Sequence, residues 1–381
     1  MKKFITLVIS GLLIMNFATV EAEDLELESL STILIDADSG QILFEQNSHE
    51  QLPPASITKI MTMLIIMEEI DKGNIGLQDN VTVSQFAADM GGSQLYLEPN
   101  EVRIVDELLK AVAVESANDA AVALAEYIAG DYQSFISIMN KRAKELNMKD
   151  TNFENANGLP SSNHYSSAYD IALMSKELLK YSNIHNYLTI WMEDITIGVE
   201  NDKIRTIANT NKLLKLDNRV DGIKTGYTSE AKYCLSASAK QGNMKLISVV
   251  LQAPSSKVRF EETKKLLDYG FNKYKKDIII EKNEPMGEVS ITKGAKEKLQ
   301  IVANEGFSQL METSVNKEYV KEINIQKNIN APVVKGDIMG KIIIKESGNV
   351  IKEVDLVASE DIPKITIFNL FNKLSKDFFI F

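Results

Sequence analysis

Ser56-Ile57-Thr58-Lys59 sets a hydroxyl and an amine three residues apart, so on a helix the two lie on one face. A serine hydroxyl is a weak nucleophile until a base takes its proton. A lysine amine serves as that base when burial and positive neighbours depress its pKa. At a helix N-terminus, Ser56 would also present its backbone N–H to a developing oxyanion. Ser116-Ala117-Asn118 supplies a second hydroxyl, able to relay a proton between Lys59 and a leaving amine. Its amide carries both a donor and an acceptor with which to grip a substrate amide. Lys224-Thr225-Gly226 supplies an ammonium and a hydroxyl for a carboxylate, and a glycine that leaves room along a strand edge. Each motif alone has a plainer reading: Ser56 and Ser116 as helix N-caps, Lys224-Thr225-Gly226 as a solvated turn.

The elements that must position these groups follow from patterning. Thr32–Asp36 and Gln41–Phe44 read as strands of a hairpin around Asp38-Ser39-Gly40. Pro53 and Pro54 then stop extended structure, and Ser56 would cap a helix reaching about Glu69. Ala117–Tyr127, Phe135–Leu146 and Ala168–Leu179 are apolar at helical spacing, with turn formers Asn155, Asn157, Gly158 and Pro160 in a loop between the last two. Strand patterns return at Gly222–Thr225, Tyr233–Lys240 and Lys245–Leu251, and a helix is expected over Lys257–Phe271. Strands at both ends with helices between them imply an α+β sandwich over residues 23–275. From 276 to 360, short β-branched runs broken by Gly and Asn imply a small all-β domain.

Lys2 and Lys3 precede an apolar run from Phe4 to Phe17, and Val20 and Ala22 are small enough for a signal peptidase. Residues 1–22 are therefore expected to be a cleaved export signal; the run is short for a bilayer span, which needs about 20 residues. At the other end, Ile367, Phe371, Leu374 and Phe378 share one helical face, opposite Lys373 and Lys376. Residues 361–381 read as an amphipathic helix lying on a membrane surface, with Pro363 at its start.

The chain has 381 residues, 44% hydrophobic and 25% charged, with a net charge of −11. That acidity argues against a nucleic-acid partner and makes any membrane contact local. The single cysteine, Cys234, forms no internal disulfide, and its alternating context reads as a buried strand position. His49, His164 and His185 lack metal-ligand spacing, and no phosphate loop is present, so neither metal nor cofactor is expected.

In this order, the three motifs form the set shared by penicillin-binding proteins and class A β-lactamases, with Ala117 where an Asp is often found. Pro54 through Thr62, Glu115 through Ala121 and Asp221 through Thr228 resemble the corresponding segments of the low-molecular-mass penicillin-binding proteins. The closer likeness is to the D-alanyl-D-alanine carboxypeptidases of the penicillin-binding protein 5 type, serine peptidase family S11. Asn155–Leu159, His164-Tyr165-Ser166 and Asn209-Thr210-Asn211 extend the likeness over nearly the whole chain.

The resemblance implies a DD-peptidase fold, with an antiparallel sheet flanked by helices, a small β domain and a terminal amphipathic helix. It implies an enzyme outside the cytoplasm, on the membrane face, that removes the terminal D-alanine of peptidoglycan stem peptides and is acylated by β-lactams. Ser56 would form the acyl-enzyme, Lys59 would act as base and Ser116 as relay. Asn118 would orient the substrate amide, and Lys224, Thr225 and Gly226 would hold the terminal carboxylate. The N–H groups of Ser56 and Tyr227 would form an oxyanion hole, with Arg259 near the carboxylate pocket. Lys232 and Tyr169 depart from the family's usual residues, outside the three motifs. A β-lactamase fits less well, because neither Glu145 nor Glu154 stands in a Glu-x-x-Leu-Asn context. A DD-endopeptidase using the same site, or a wall-binding protein without catalysis, completes the alternatives.

Overall fold

The computed structural model describes residues 25–366 apart from 201, 202 and 328; the expected signal at 1–22 and residues 367–381 of the expected terminal helix lie outside them. The chain opens with β1 (Ser31–Asp36) and β2 (Ile42–Gln46), then a 3-10 turn (Ala55–Thr58) that runs into α1 (Lys59–Asp71). β3 (Asn80–Thr82), α2 (Gln85–Ala88) and β4 (Val102–Ile104) lead to a helical layer: α3 (Val105–Val114), α4 (Asn118–Ala129), α5 (Tyr132–Glu145) and α6 (Ala168–Leu178). One-turn α7 (His185–Leu188), the hairpin β5 (Met192–Ile197) and β6 (Lys203–Ala208), and one-turn α8 (Leu213–Leu216) precede β7 (Val220–Thr228), β8 (Lys232–Gln241), β9 (Met244–Ala253) and α9 (Ser256–Lys273).

The main sheet has the order β2-β1-β9-β8-β7, antiparallel throughout, with β7 on an edge. Its strands are apolar on both faces because both are covered. Ile33, Ile35, Ile247, Val249 and Leu251 point into the core shared with α1, α3, α4 and α6. The intervening Leu34, Leu246 and Val250 point to Phe260, Leu266, Leu267 and Phe271 of α9. The period of two along each strand thus feeds two cores and yields a helix–sheet–helix sandwich. Cys234 is buried on β8, where its Sγ donates to the Ala231 carbonyl (3.3 Å), and burial pushes its thiol up to about 11.

α9 runs directly into β10 (Tyr274–Ile280), which pairs with β13 (Phe307–Glu312). β11 (Pro285–Thr292), β12 (Lys298–Ala303), β14 (Tyr319–Ile325), β15 (Ile329–Asn330), β16 (Ile338–Glu346) and β17 (Asn349–Ala358) form a six-stranded sheet around a separate apolar core that includes Leu299, Ile301, Ile342, Ile344 and Leu356. Residues 361–366, expected to begin the terminal helix, are extended instead. Ile362 bridges Val333, Lys364 bridges Gly294, and the Pro363 carbonyl accepts from the Ala295 N–H. Buried Ile362 belongs to the β core, so this segment closes a sheet unit rather than starting a helix.

Candidate active site

Ser56 lies in the 3-10 turn, one turn short of the regular helix. It is not an N-cap: no side chain caps α1, and Ser56 Oγ instead accepts from Lys59 Nζ at 3.2 Å. The turn is set by Pro54, whose carbonyl accepts from Ile57 N–H (3.2 Å), and by Thr58, whose Oγ1 donates to the Ala55 carbonyl (2.8 Å). Lys59 is fully buried, and its Nζ also reaches Asn118 Oδ1 and the Asn157 carbonyl, each at 2.6 Å. Desolvation, reinforced by the charge of Lys224, holds the Lys59 amine well below its usual pKa, while Asp119 opposes the shift. Nζ thus donates two short bonds to carbonyl oxygens, which fix the amine beside Ser56. The 3.2 Å contact with Ser56 Oγ is the longest of the three.

The loop between α5 and α6 presses on this turn. Asn155 Oδ1 accepts from Gly158 N–H (2.6 Å), Asn157 Oδ1 accepts from Leu159 N–H (3.1 Å), and Gly158 adopts φ +84°. His164, carried by the same loop, accepts from Glu154 N–H through Nδ1 (2.9 Å), which leaves Nε2 to donate to Thr58 Oγ1 (2.7 Å). Burial pulls this imidazole down to about 4, so it is neutral at ordinary pH.

Ser116 precedes α4 with φ +67°, and Ala117 occupies the N-cap position. Ser116 Oγ is buried and has no hydrogen-bond partner. Asn118 is buried between Lys59 and the Gly91 carbonyl, to which its Nδ2 donates at 2.6 Å. The neighbouring Asp119 accepts from the N–H groups of Leu95 (3.0 Å) and Leu97 (3.1 Å), and desolvation raises its pKa. The segment from Gly91 to Leu97 is therefore tied to the start of α4.

β7 brings Lys224, Thr225, Gly226 and Tyr227 alongside the 3-10 turn. A Cβ at Gly226 would stand 3.0 Å from the Pro54 carbonyl oxygen, so any side chain would force the strand and the turn apart by a few tenths of an ångström. Lys224 is buried, its pKa pulled down to about 7 by desolvation and by Arg259. Thr225 Oγ1 meets Thr210 Oγ1 at 2.5 Å, and Asn211 Nδ2 donates to the Gly222 carbonyl (3.0 Å). Arg259 sits on α9, yet it is buried under the strand: Nη1 donates to the carbonyls of Gly226 (3.2 Å) and Cys234 (3.3 Å). Tyr227 turns its ring outward against Tyr233, with centroids 4.6 Å apart.

The fold thus assembles Ser56, Lys59 and Asn118 by direct hydrogen bonds and sets β7 against them. Ser116 stands at the start of the same helix without touching Lys59 through a hydrogen bond. Sequence reasoning gives no role to Asn157, Thr210, Asp119 or His164, and includes them only in segments of likeness. Each acts through a backbone group or a contact distant in sequence, for which residue type and spacing carry no signal.

Among the described residues, no group of three His, Cys, Asp or Glu residues is placed to hold a metal ion. A serine hydroxyl beside a buried lysine, between a helical layer and the edge of an antiparallel sheet, defines the class of DD-peptidases and β-lactamases. Residues 17–255 match the model of the peptidase family S11, described as D-alanyl-D-alanine carboxypeptidase, and residues 274–364 match that of the penicillin-binding protein 5 C-terminal domain. The chain belongs to the D-alanyl-D-alanine carboxypeptidase family. It is 43% identical to the D-alanyl-D-alanine carboxypeptidase DacF of Bacillus subtilis, over 96% of this chain and 95% of that one. It is 30% identical to DacA of Escherichia coli, over 90% and 86%. Among solved structures, penicillin-binding protein 5 of Haemophilus influenzae aligns with a TM-score of 0.68 and 32% identity, covering 89% of this chain and 98% of that one.

Proposed function

We propose that the chain removes the terminal D-alanine from peptidoglycan pentapeptide stems through an acyl-enzyme on Ser56, and that β-lactams acylate the same hydroxyl. One observation carries this reading: a fully buried lysine amine, bonded to two carbonyl acceptors, stands 3.2 Å from a half-exposed serine hydroxyl. Lys59 takes the Ser56 proton as Oγ attacks the carbonyl of the penultimate D-alanine. The N–H groups of Ser56 and Tyr227 receive the oxyanion. Asn118 orients the upstream amide. Ser116, whose hydroxyl has no competing partner, delivers the proton to the departing amine. The C–N bond then breaks and D-alanine leaves, and water cleaves the ester to restore Ser56. Lys224 and Thr225 hold the terminal carboxylate against β7, and Arg259 acts from beneath by adding positive charge and fixing the Gly226 carbonyl.

Work outside the cytoplasm fits a substrate that is built there, and the leader pattern of residues 1–22 supports export. Attachment to the membrane surface is supported by the apolar, aromatic face and the basic residues in the sequence of 367–381. The test is intact mass after incubation with a fluorescent penicillin, followed by an assay for D-alanine release from a pentapeptide. A lasting adduct on Ser56, absent in Ser56→Ala, together with D-alanine release, is the expected result. No adduct with the drug intact overturns the reading, and no adduct with the drug hydrolysed points to a β-lactamase.

A further inference from the structure

Between Gly91 and Leu97 the chain passes the mouth of the site with alternating burial: Leu95 and Leu97 are in the core, and Tyr96 between them is 61% exposed. A tyrosine ring at that exposure gains nothing from the core. Its backbone is also held at φ +63°, a region that non-glycine residues avoid. The surroundings impose this conformation: buried Asp119 takes the N–H groups of Leu95 and Leu97 on either side. The ring does not swing freely either. The Arg205 guanidinium lies over it, 4.8 Å from its centroid. Arg205 is itself anchored by Glu115 Oε1 (2.6 Å) and the Gln94 carbonyl (3.1 Å). Glu115 directly precedes Ser116, and the same loop holds Asn118 through the carbonyls of Gly91 and Ser93. An exposed aromatic is thus fixed, at a cost in backbone strain, to the two residues assigned to the leaving amine and the upstream amide.

The geometry points to Tyr96 as a specificity-determining contact for the upstream part of the stem peptide, the acyl-donor residues that precede the two D-alanines. The assignment rests on the carboxypeptidase reading above. The terminal carboxylate belongs to Lys224 and Thr225 on β7, so the remainder of a substrate gripped by Asn118 leaves past the loop that Asn118 holds. An exposed ring face there suits the aliphatic stem of a diamino acid side chain, while the rigid loop lowers the ordering cost on binding. Remote contacts of this kind raise the rate for long substrates over truncated ones, because their binding energy is used to orient the reacting centre.

The experiment compares wild type, Tyr96→Phe, Tyr96→Ala and Tyr96→Gly on two substrates, the pentapeptide stem and a short N-acyl-D-Ala-D-Ala, with penicillin acylation of Ser56 as a third readout. Tyr96→Ala and Tyr96→Gly should lower kcat/KM for the pentapeptide roughly tenfold, the size of one aromatic contact. They should leave penicillin acylation and turnover of the short substrate near wild type, and Tyr96→Phe should behave as wild type throughout. Tyr96→Gly relieves the positive φ, so its thermal midpoint should not fall below that of Tyr96→Ala; a loss of activity in it therefore reports the ring and not the fold. An equal loss on all three readouts would overturn the proposal and make Tyr96 structural. Unchanged pentapeptide kinetics would overturn it as well. A wild-type protein that takes no penicillin at all would instead sink the carboxypeptidase reading on which it rests.

Discussion

Gly158 and Ala55 touch so closely that no side chain fits between them: a Cβ on Gly158 would lie 1.8 Å from the Ala55 carbonyl oxygen and 2.8 Å from the Ser56 nitrogen. Gly158 also has φ +84°, so any substitution adds backbone strain to the clash. The preceding Asn157 offers the carbonyl that holds Lys59. Gly158→Ala must therefore displace the nucleophile turn, the base's acceptor, or both. A displacement near 1 Å costs on the order of 100-fold in rate. Penicillin acylation of Gly158→Ala, measured by stopped quench, should fall by about that factor while far-UV circular dichroism stays native. A wild-type rate would mean that the loop yields without disturbing Ser56.

Lys224 costs the fold stability for the sake of the site. Its pKa falls from 10.5 to about 7 on burial, so below pH 7 it is charged in both states and the full desolvation penalty applies. Between pH 7 and 10.5 the folded state holds it neutral while the unfolded chain still protonates it, and the penalty shrinks to zero. Each pH unit across that window is worth about 1.4 kcal/mol, so the penalty amounts to a few kcal/mol. Lys224→Met should unfold at a higher urea concentration than wild type at pH 6, with the advantage vanishing near pH 10.5, and should have lost carboxypeptidase activity. In the wild type, KM for a pentapeptide should rise above pH about 7 as the ammonium discharges.

His164 acts in the same direction as Lys224, in a lower pH window. Its folded pKa of about 4 lies below the ordinary 6.5, so its contribution is fully present above pH 6.5 and is lost as pH falls toward 4. The loss is about 3 kcal/mol at its limit. Asp119 and Asp170, whose pKa values burial raises, pull the other way. The informative quantity is therefore the difference between wild type and His164→Gln. Urea midpoints for the two should diverge at neutral pH and converge between pH 6 and 4. A constant gap would show that the imidazole does not titrate there.

Much of this arrangement is legible from residue type and spacing, and the exceptions share a cause. Ser56 and Lys59 fall on one face because their separation is a local, helical quantity. The same local logic misassigns Ser56 as a cap, because it cannot register Gly226 and Gly158 closing on the turn from two distant segments. The alternation of β1, β8 and β9 marks the sheet, and its burial on both faces follows from α9 lying opposite the helical layer. The hairpin of β5 and β6 escapes notice because its exposed strands carry charges at irregular spacing. Arg259 looks like a surface residue because nothing in α9 itself reveals that its Nη1 ends beneath Gly226. Backbone acceptors such as the Asn157 carbonyl leave no trace in a side-chain pattern.

Ser116 separates chemistry from structure most cleanly. Its hydroxyl is buried and no protein group hydrogen-bonds to it, and its backbone sits at φ +67°. Removing an unpartnered buried hydroxyl relieves a desolvation cost, so Ser116→Ala should be as stable as wild type or slightly more so. The Lys59 contacts with Ser56, Asn118 and Asn157 do not pass through Ser116, so the base stays in place. A relay hydroxyl is needed when the leaving nitrogen must gain a proton, and loss of general acid catalysis costs about 100- to 10,000-fold. D-alanine release by Ser116→Ala should therefore fall into that range with KM nearly unchanged, while its thermal midpoint does not drop. If instead the midpoint falls and activity follows in proportion, Ser116 supports the turn and the proton takes another route, through Lys59 itself.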